Sequence, residues 1–401
     1  MKTHISLEEA QELLIGMISP RGETMVSLPE ALGRVISREI KAPRSVPPFD
    51  KSLVDGYALR AADAELASAD KPVTLQVIGE VAAGSIPAGI VAPGCAVRLM
   101  TGSPIPGGAD VVVRFEDVEE VPKGIRVKRP LAAGSNIIPA GSEIIQGEIV
   151  SQRGERVKAY MIGMLASLGI TRVHVYERPR VAIIATGSEL LGLDEELQPG
   201  KIYCSNRYLL EARCREVGAE PVFAECVPDE EGTIISSLSR ALEVADLVVT
   251  TGGTSVGRYD FVKDALEAIG AQILFWKIAL KPGMPTAAAF KDGKAILSLA
   301  GHPDAAMIIF ELLAVPIIRK IAGEKEPLPP KIIGVLANAF PKESPYRRIV
   351  KARWRRRDGI DMIELVDKQE FNLLVDVPAG SPPLAAGERV SAFVIGSLSN
   401  L

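Results

Sequence analysis

Short apolar runs alternate with amphipathic stretches through the centre of the chain. The runs have the length of strands, and the stretches between them carry apolar residues at helical spacing. This alternation predicts parallel strands joined by helices, as in a doubly wound α/β sheet. Strands are expected at 180–185, 220–227, 246–251, 272–280 and 295–300, and helices at 207–217, 230–243 and 261–269.

The first part of the chain has a helical pattern. Leu, Ile and Val at helical spacing predict helix from Ser6 to about Lys41, beginning with a capping box between Ser6 and Glu9. Prolines at 43, 47 and 48 interrupt this pattern and mark a boundary.

The remaining regions are mostly β-like. Short apolar alternations broken by glycine turns predict strands from 72 to 139, and a helix at 154–168 is expected to end at Gly169. After the proline-rich segment 326–330 the pattern is again that of strands, with a hairpin at Asp358-Gly359.

Composition excludes several classes of protein. A chain of 401 residues suggests two to four domains and can be stable without disulfides. Its 47% apolar and 24% charged residues are ordinary for a soluble globular protein. The net charge of −4 provides no general attraction to nucleic acid or to an acidic membrane, so neither is an expected partner.

The cysteines and histidines give no sign of a metal centre. The four cysteines lack Cys-x-x-Cys spacing, so we expect neither structural zinc nor an extracellular disulfide framework. The three histidines are scattered, and a histidine-based metal centre or catalytic triad would depend mainly on His302.

No targeting segment is expected. The N-terminal residues lead directly into the predicted helix, without the apolar core of a signal peptide. The apolar stretch 305–321 contains Glu311 and Lys320, and is expected to be a buried helix rather than a membrane span. A reducing cytoplasm is the expected compartment.

Three predicted strands run directly into glycine turns, which begin at Thr186-Gly187, Gly252-Gly253 and Gly301-His302. Such turns lie at the carboxyl ends of parallel strands, where α/β sheets bind ligands. Glycine lets the backbone approach a ligand, and successive N–H groups can hold an anion. A single turn would be an ordinary strand-to-helix connection, but several together favour a phosphate or oxyanion site.

A basic stretch at 347–357 contains seven cations and no acid. Its alternation predicts a strand with a charged face. We rank a solvated face first, an anion-binding contribution to a partner subunit's cleft second, and nucleic-acid binding third.

Several motifs, in order and spacing, resemble those of the molybdopterin molybdenumtransferases of molybdenum cofactor biosynthesis, which include the E domain of gephyrin. The resemblance covers nearly the whole chain. Its motifs are the segments at 47–58, 100–112, 185–190, 252–257 and 275–283.

The resemblance implies a multi-domain α+β and α/β protein. A helical region at 1–43 and 139–176 would carry an inserted small β domain at 44–138. A doubly wound α/β pterin-binding domain at 177–324 and a C-terminal β domain at 328–401 would follow. The resemblance also implies an elongated homodimer that takes adenylylated molybdopterin and molybdate, inserts the metal and releases AMP with Mg²⁺. The molybdopterin adenylyltransferase is a further possible partner.

The resemblance assigns catalytic roles to seven side chains. Mg²⁺ and the pyrophosphate would be held by carboxylates, for which helix capping is the alternative role. Lysines would bind the oxyanion. An Asp and a Thr from the inserted domain would close the metal side of the ligand cleft. The carboxylates are Glu189, Asp229 and Asp260, the lysines are Lys277 and Lys281, and the closing pair is Asp55 and Thr101.

The implied pterin-binding residues lie mainly in the glycine turns. They are Thr186, Gly187, Ser188, Gly252, Gly253, Thr254, Ser255, Gly257, Pro282, Gly283, Gly301 and Pro303.

The chain departs from the family pattern at Glu143, Met284 and His302. These departures keep open a weakly catalytic pterin carrier or scaffold. A tungsten-inserting paralogue also stays open, because tungstate and molybdate have the same charge and shape. A hydrolase sharing only the α/β domain is more remote, because the match extends beyond that domain.

Overall fold

The computed structural model describes residues 2–253, 261–357, 359–367 and 370–396. Its elements fall into three successive stretches. The first contains β1 Lys2–Ile5, α1 Leu7–Met17, β2 Glu23–Ser27, β3 Ile40–Lys41, β4 Lys51–Ser52, β5 Gly56–Leu59, β6 Val73–Val81, β7 Cys95–Leu99, β8 Val111–Arg114, β9 Val118–Val121, β10 Gly124–Val127, β11 Ile137–Ile138, β12 Ile149–Ser151, α2 Ala159–Ser167 and β13 Arg172–Tyr176.

The central stretch alternates strands and helices, as predicted. It contains β14 Arg180–Thr186, β15 Leu190–Leu191, β16 Ile202–Tyr203, α3 Ser205–Glu216, β17 Glu220–Val227, α4 Glu231–Val244, β18 Leu247–Thr251, α5 Phe261–Ala268, β19 Gln272–Ile278, β20 Ala287–Lys291, β21 Lys294–Leu299, α6 Pro303–Ile309 and α7 Val315–Ile321. The last stretch contains β22 Lys331–Leu336, β23 Arg348–Arg357, β24 Ile360–Leu365, β25 Leu373–Val377 and β26 Arg389–Val394.

The central sheet has seven strands in the order β1-β19-β20-β21-β18-β14-β17. Strands β21, β18, β14 and β17 are parallel, as predicted, but β20 is antiparallel to both of its neighbours. The expectation of a wholly parallel sheet is therefore wrong at β20. The cause is a two-residue hairpin at Asp292-Gly293, where both residues have positive φ and Lys291 pairs with Lys294.

Helices cover both faces of this sheet, which confirms the doubly wound prediction. One face packs against α1, α3, α6 and α7, and the other against α4 and α5. A π-helical turn at Phe310–Ala314 joins α6 to α7, and this continuous segment is buried, as expected for 305–321. Among the described residues, no helix has the length and apolar character needed to cross a membrane.

The first stretch differs from the sequence prediction. The capping box at Ser6 and Glu9 is present, but α1 ends at Met17, and strands follow where helix was predicted up to Lys41. Pro20 and Gly22 lie between α1 and β2, and β2 pairs with β13 because its apolar face completes a small core with α2. Strand β1 and helix α1 pack onto the central α/β sheet.

Two further β units complete the chain. The inserted unit is a six-stranded sheet in the order β8-β5-β7-β6-β10-β9. The last stretch forms a closed barrel, β22-β24-β23-β25-β26, and the antiparallel pairing of β23 with β24 confirms the predicted hairpin. The division at residues 43, 138, 176 and 324 stays a prediction.

The barrel packs against the α/β domain of the same chain. Ile349 and Phe393 join the apolar core of that domain, and Lys351 on the basic strand pairs with Asp304 at 2.9 Å. The Lys351 side chain is only 11% exposed, so this end of the basic strand is not the solvated face that we ranked first.

The cysteines form one disulfide rather than a framework. Cys204 and Cys226 form a disulfide, whereas Cys95 and Cys214 are free thiols. Spacing along the chain did not predict this pair, because the start of α3 and the end of β17 meet only in the folded sheet.

Candidate functional site

A cavity of about 300 Å³ lies at the carboxyl ends of β14, β18 and β21. This is the position at which open α/β sheets bind ligands. Its lining includes seven of the predicted site residues. They are Thr186, Glu189, Asp229, Gly252, Gly253, Gly301 and Pro303.

The glycine turns converge at the base of this cavity. Gly252 has φ +93°, and a Cβ atom there would lie 2.2 Å from the Thr186 backbone oxygen. A side chain at Gly253 would similarly meet Val262 at 2.6 Å, again at positive φ. Both positions therefore require glycine, for close packing between neighbouring turns as well as for conformation.

Ser188 and Asp229 join the first glycine turn to the segment after β17 by reciprocal hydrogen bonds. The Ser188 N–H donates to Asp229 Oδ2 at 3.3 Å, and the Asp229 N–H donates to Ser188 Oγ at 3.1 Å. The capping alternative for Asp229 is wrong, because Glu230 occupies the N-cap position of α4. Asp229 is therefore free of a capping role and lines the cavity.

Glu189 and a lysine that the sequence prediction missed lie next to this pair. The Glu189 carboxylate folds over Gly187, since a Cβ at Gly187 would be 2.6 Å from Glu189 Oε2. Lys201 Nζ donates to the Ser188 backbone oxygen at 2.6 Å. The turn at 187–189 therefore presents carboxylates and an ammonium group close together.

Three buried side-chain oxygens on the cavity lining have no hydrogen-bond partner among the described residues. They are Thr186 Oγ1, Asn206 Oδ1 and Asp229 Oδ1. Buried polar atoms are normally hydrogen-bonded. Their grouping in one cavity is therefore typical of a site where a polar ligand or cation completes the contacts.

Sequence reasoning missed one wall of the cavity. It is formed by Ile202, Tyr203, Cys204, Ser205 and Asn206. The Asn206 amide Nδ2 donates to the Gly301 backbone oxygen at 2.8 Å, which ties the start of α3 to the third glycine turn. The available signal was a Ser-Asn pair at the start of a predicted helix, where such residues ordinarily act as caps.

The predicted lysines lie outside the cavity lining. Lys277 has a positive φ and donates its backbone N–H to the Thr286 oxygen at 2.9 Å. Lys281 lies beyond the end of β19, and its ammonium group is 3.9 Å from the centre of the Tyr346 ring. Pro285, four residues after Lys281, does contribute to the lining.

The turn that carries Pro282 and Gly283 is tightly packed. Gly283 has φ +100°, and a Cβ there would be 2.3 Å from Ile309 Cγ1. The Met284 backbone oxygen accepts bonds from Ile278 at 3.0 Å and Thr286 at 2.8 Å, so the departure at Met284 leaves this turn closed.

Asp55 and Thr101 form a pair in the inserted β unit. Asp55 Oδ1 accepts hydrogen bonds from the Thr101 N–H and hydroxyl, both at 2.7 Å. These bonds, the backbone one first, lower the pKa of Asp55. Neither residue is among the described residues that line the cavity, all of which come from the α/β domain.

Four predicted site residues lie outside the part of the chain that the structure describes, namely Thr254, Ser255, Gly257 and Asp260. His302 precedes α6 as its N-cap residue without a side-chain capping bond, in agreement with a turn role.

Comparison with known proteins covers the whole of this architecture. Residues 5–169 match the model of the MoeA N-terminal region (domain I and II), and residues 182–320 match that of a probable molybdopterin binding domain. A molybdopterin molybdenumtransferase of Staphylococcus epidermidis is 35% identical over 99% of this chain and 97% of its own length. The chain belongs to the molybdopterin molybdenumtransferase family.

Further relatives agree with this membership. A molybdopterin molybdenumtransferase of Staphylococcus aureus is 33% identical over 98% of this chain and 96% of its own length. The crystal structure of a molybdopterin biosynthesis MoeA protein from Pyrococcus horikoshii superposes with a TM-score of 0.84 at 31% identity, covering 98% of this chain and all of that one. The family resemblance inferred from the sequence motifs is thereby confirmed.

Proposed function

We propose that this protein is a molybdopterin molybdenumtransferase that inserts molybdate-derived metal into adenylylated molybdopterin and releases AMP. The observation that carries the proposal is the cavity at the converging glycine turns, in a chain that matches the family over its full length. Its unpartnered oxygens and two carboxylates suit a polar, phosphorylated pterin and a cation.

Glu189 and Asp229 would hold Mg²⁺. Mg²⁺ binds through one or two carboxylates together with phosphate oxygens, and both side chains line the cavity. The unpartnered Asp229 Oδ1 fits this role. The cation would supply positive charge to the pyrophosphate, and Asp260 would join it from outside the described residues.

Lys277 and Lys281 would bind the oxyanion. Each ammonium group is a compact cation suited to molybdate or phosphate. The turn that follows Lys281 and leads to the lining residue Pro285 is fixed by the Thr286 hydroxyl, which donates to the Gly283 oxygen at 2.6 Å. This fixed turn supports a preorganised oxyanion site at the cavity's edge.

A homodimer would complete the site. The family roles of Asp55 and Thr101 require both residues at the metal side, whereas the cavity lining of one chain includes neither. We therefore propose that a second copy supplies them. Sedimentation velocity is expected to give twice the chain mass of 42.8 kDa, and a monomer would contradict this arrangement.

The transferase proposal is tested with purified protein, adenylylated molybdopterin, Mg²⁺ and molybdate. AMP release and reconstitution of a molybdenum-free apoenzyme should both depend on molybdate. Parallel assays with tungstate identify the preferred metal. Tight pterin binding without AMP release for either oxyanion would favour the carrier or scaffold instead.

A further inference from the structure

The Cys204–Cys226 disulfide joins two walls of the cavity. Cys204 lines the cavity, is 1% exposed, and immediately precedes α3. Cys226 lies near the end of β17, which is an edge strand of the central sheet. The two Cα atoms are 6.8 Å apart.

Each cysteine is close in sequence to a polar group of the site. Two residues after Cys204, Asn206 binds the Gly301 turn. Three residues after Cys226, Asp229 binds Ser188. Both Asn206 and Asp229 carry an unpartnered buried oxygen, so the disulfide connects the segments that present these two oxygens.

Two backbone bonds of the described residues connect the same segments through the first glycine turn. The Cys204 N–H donates to the Leu191 oxygen at 2.9 Å, and the Gly187 N–H donates to the Val227 oxygen at 3.0 Å. The disulfide closes this chain of contacts into a ring around the turn at 187–191. Without the covalent bond, each wall would keep its own bond to that turn and α3 would keep its packing against the sheet, but no covalent link would fix the separation of the two walls.

We propose that the Cys204–Cys226 disulfide is a positioning element that fixes the separation of the Asn206 and Asp229 walls and thereby sets the shape of the pterin cavity. The inference rests on the proposed function for the identity of the ligand. Its structural part, the fixing of the two walls, can be measured without any ligand.

Reduction would release the two walls. A dithiol attacks one sulfur of the disulfide, its second thiolate then releases the mixed disulfide, and two electrons and two protons pass to the cysteine pair. Cys226 is partly exposed on the edge strand, so we expect the dithiol to attack the Cys226 sulfur. The remaining thiol of this domain, Cys214, is buried, and burial raises its pKa to about 12, which keeps it out of the exchange.

The test compares amide hydrogen exchange in the oxidised full-length protein and after treatment with dithiothreitol. We expect exchange to rise about tenfold or more at Ser188, Asn206 and Asp229, with little change in the central strand β18. Reoxidation with glutathione disulfide should restore the original rates. Unchanged exchange at both walls, or an equal rise throughout the sheet, would reduce the disulfide to a general stabilising link and overturn the proposal.

Variants separate this effect from other consequences of reduction. The double variant Cys204→Ser/Cys226→Ser should reproduce the reduced rates and no longer respond to dithiothreitol, whereas Cys95→Ser should respond like the unmodified protein. If alkylation and mass spectrometry found all four cysteines free in the purified oxidised protein, the proposal would also fall.

Measurements of pterin binding test whether the disulfide also affects function. The oxidised form is expected to bind adenylylated molybdopterin about tenfold or more tightly than the reduced form. If the two forms bound the pterin equally well although their hydrogen exchange differed, the disulfide would affect only the mobility of the walls, and its proposed role in shaping the cavity would be overturned. Absence of pterin binding in both forms would contradict the proposed function, while the exchange comparison would still decide whether the walls are fixed.

Discussion

The Lys281 ammonium group lies 3.9 Å from the centre of the Tyr346 ring. Lys281 belongs to the α/β domain, whereas Tyr346 belongs to the segment that enters the barrel. The Lys281 N–H also donates to the Arg347 oxygen at 2.9 Å, and its own oxygen accepts from Ile349 at 2.8 Å. The last domain therefore sets the position of this lysine, by a cation–π contact and by two backbone bonds.

Replacing this lysine tests the oxyanion site. Lys281→Ala keeps the backbone bonds to the barrel but removes the charge, and loss of a charge-assisted hydrogen bond costs about 1.5–3 kcal/mol. We expect oxyanion affinity to fall about ten- to a hundredfold, measured by titrating molybdate and then tungstate against AMP release. Lys263→Ala, on the exposed face of α5, is the matched control. Identical titrations for Lys281→Ala and the unmodified protein would exclude Lys281 as a ligand.

The carboxylate role predicts a magnesium-dependent defect. Asp229→Asn removes one negative charge but retains an oxygen that can accept from the Ser188 N–H. We expect turnover to fall about a hundredfold, as for other groups that stabilise charge during catalysis, with little change in Tm. The control is Asp264→Asn, an exposed carboxylate on α5. Near-normal turnover at limiting Mg²⁺ would show that Asp229 does not bind the cation.

The cavity wall at 202–206, which the sequence analysis did not predict, leads us to expect a defect in pterin binding when Asn206 is replaced. Asn206→Ala removes the bond to the Gly301 oxygen, at a cost of about 1–3 kcal/mol. Pterin affinity should fall about ten- to a hundredfold, as measured by calorimetry. Asn338→Ala is a suitable comparison, because Asn338 bonds the Leu365 oxygen at 3.0 Å in the barrel. Equal losses of affinity in the two variants would remove any specific role for Asn206.

A buried ion pair predicts a large effect on stability. Arg213 binds both oxygens of Glu311, at 2.5 and 3.0 Å, and the Ile395 oxygen of the barrel at 2.9 Å, while Glu311 is 1% exposed. Arg213→Ala leaves a buried carboxylate unpaired and should lower the free energy of unfolding by about 3–5 kcal/mol. On the same helix, Arg215 makes an exposed pair, so Arg215→Ala should cost no more than about 1 kcal/mol.

The Arg213→Ala defect should also depend on pH. Burial raises the pKa of Glu311, and Arg213 opposes this rise. Without Arg213 the folded protein binds a proton on Glu311 more readily than the unfolded chain does, so stability decreases as pH rises. Urea unfolding of the variant should therefore show a shrinking deficit as pH is lowered toward the ordinary glutamate pKa of 4.5. A deficit that stayed constant with pH would contradict this account.

Local patterns were enough to predict the central strands. Strand β17 has the bounds expected from the sequence, since a buried strand is a short apolar run between polar turns. The Asp292-Gly293 hairpin signal was also present, but the runs beside it were not recognised as an antiparallel pair. The glycine turns predicted most of the cavity, because parallel strands place their carboxyl ends together.

Contacts between distant segments could not be predicted from local sequence patterns. The Asn206–Gly301 bond and the Cys204–Cys226 disulfide depend on how α3 is seated against the sheet, which no local spacing encodes. The same limit applies to Lys351, whose partner Asp304 lies in another domain. Charged residues at alternating positions indicate one face of a strand, but they do not indicate what packs against that face.

The pairing of β1 with β19 has a consequence for synthesis on the ribosome. Lys2 is aligned with Phe275, so β1 leaves the ribosome without its partner and stays unpaired until β19 has been made. At roughly 10 residues per second, this delay lasts about half a minute. The central domain can therefore complete its sheet only after this delay, and until then β1 is open to mispairing with other nascent chains.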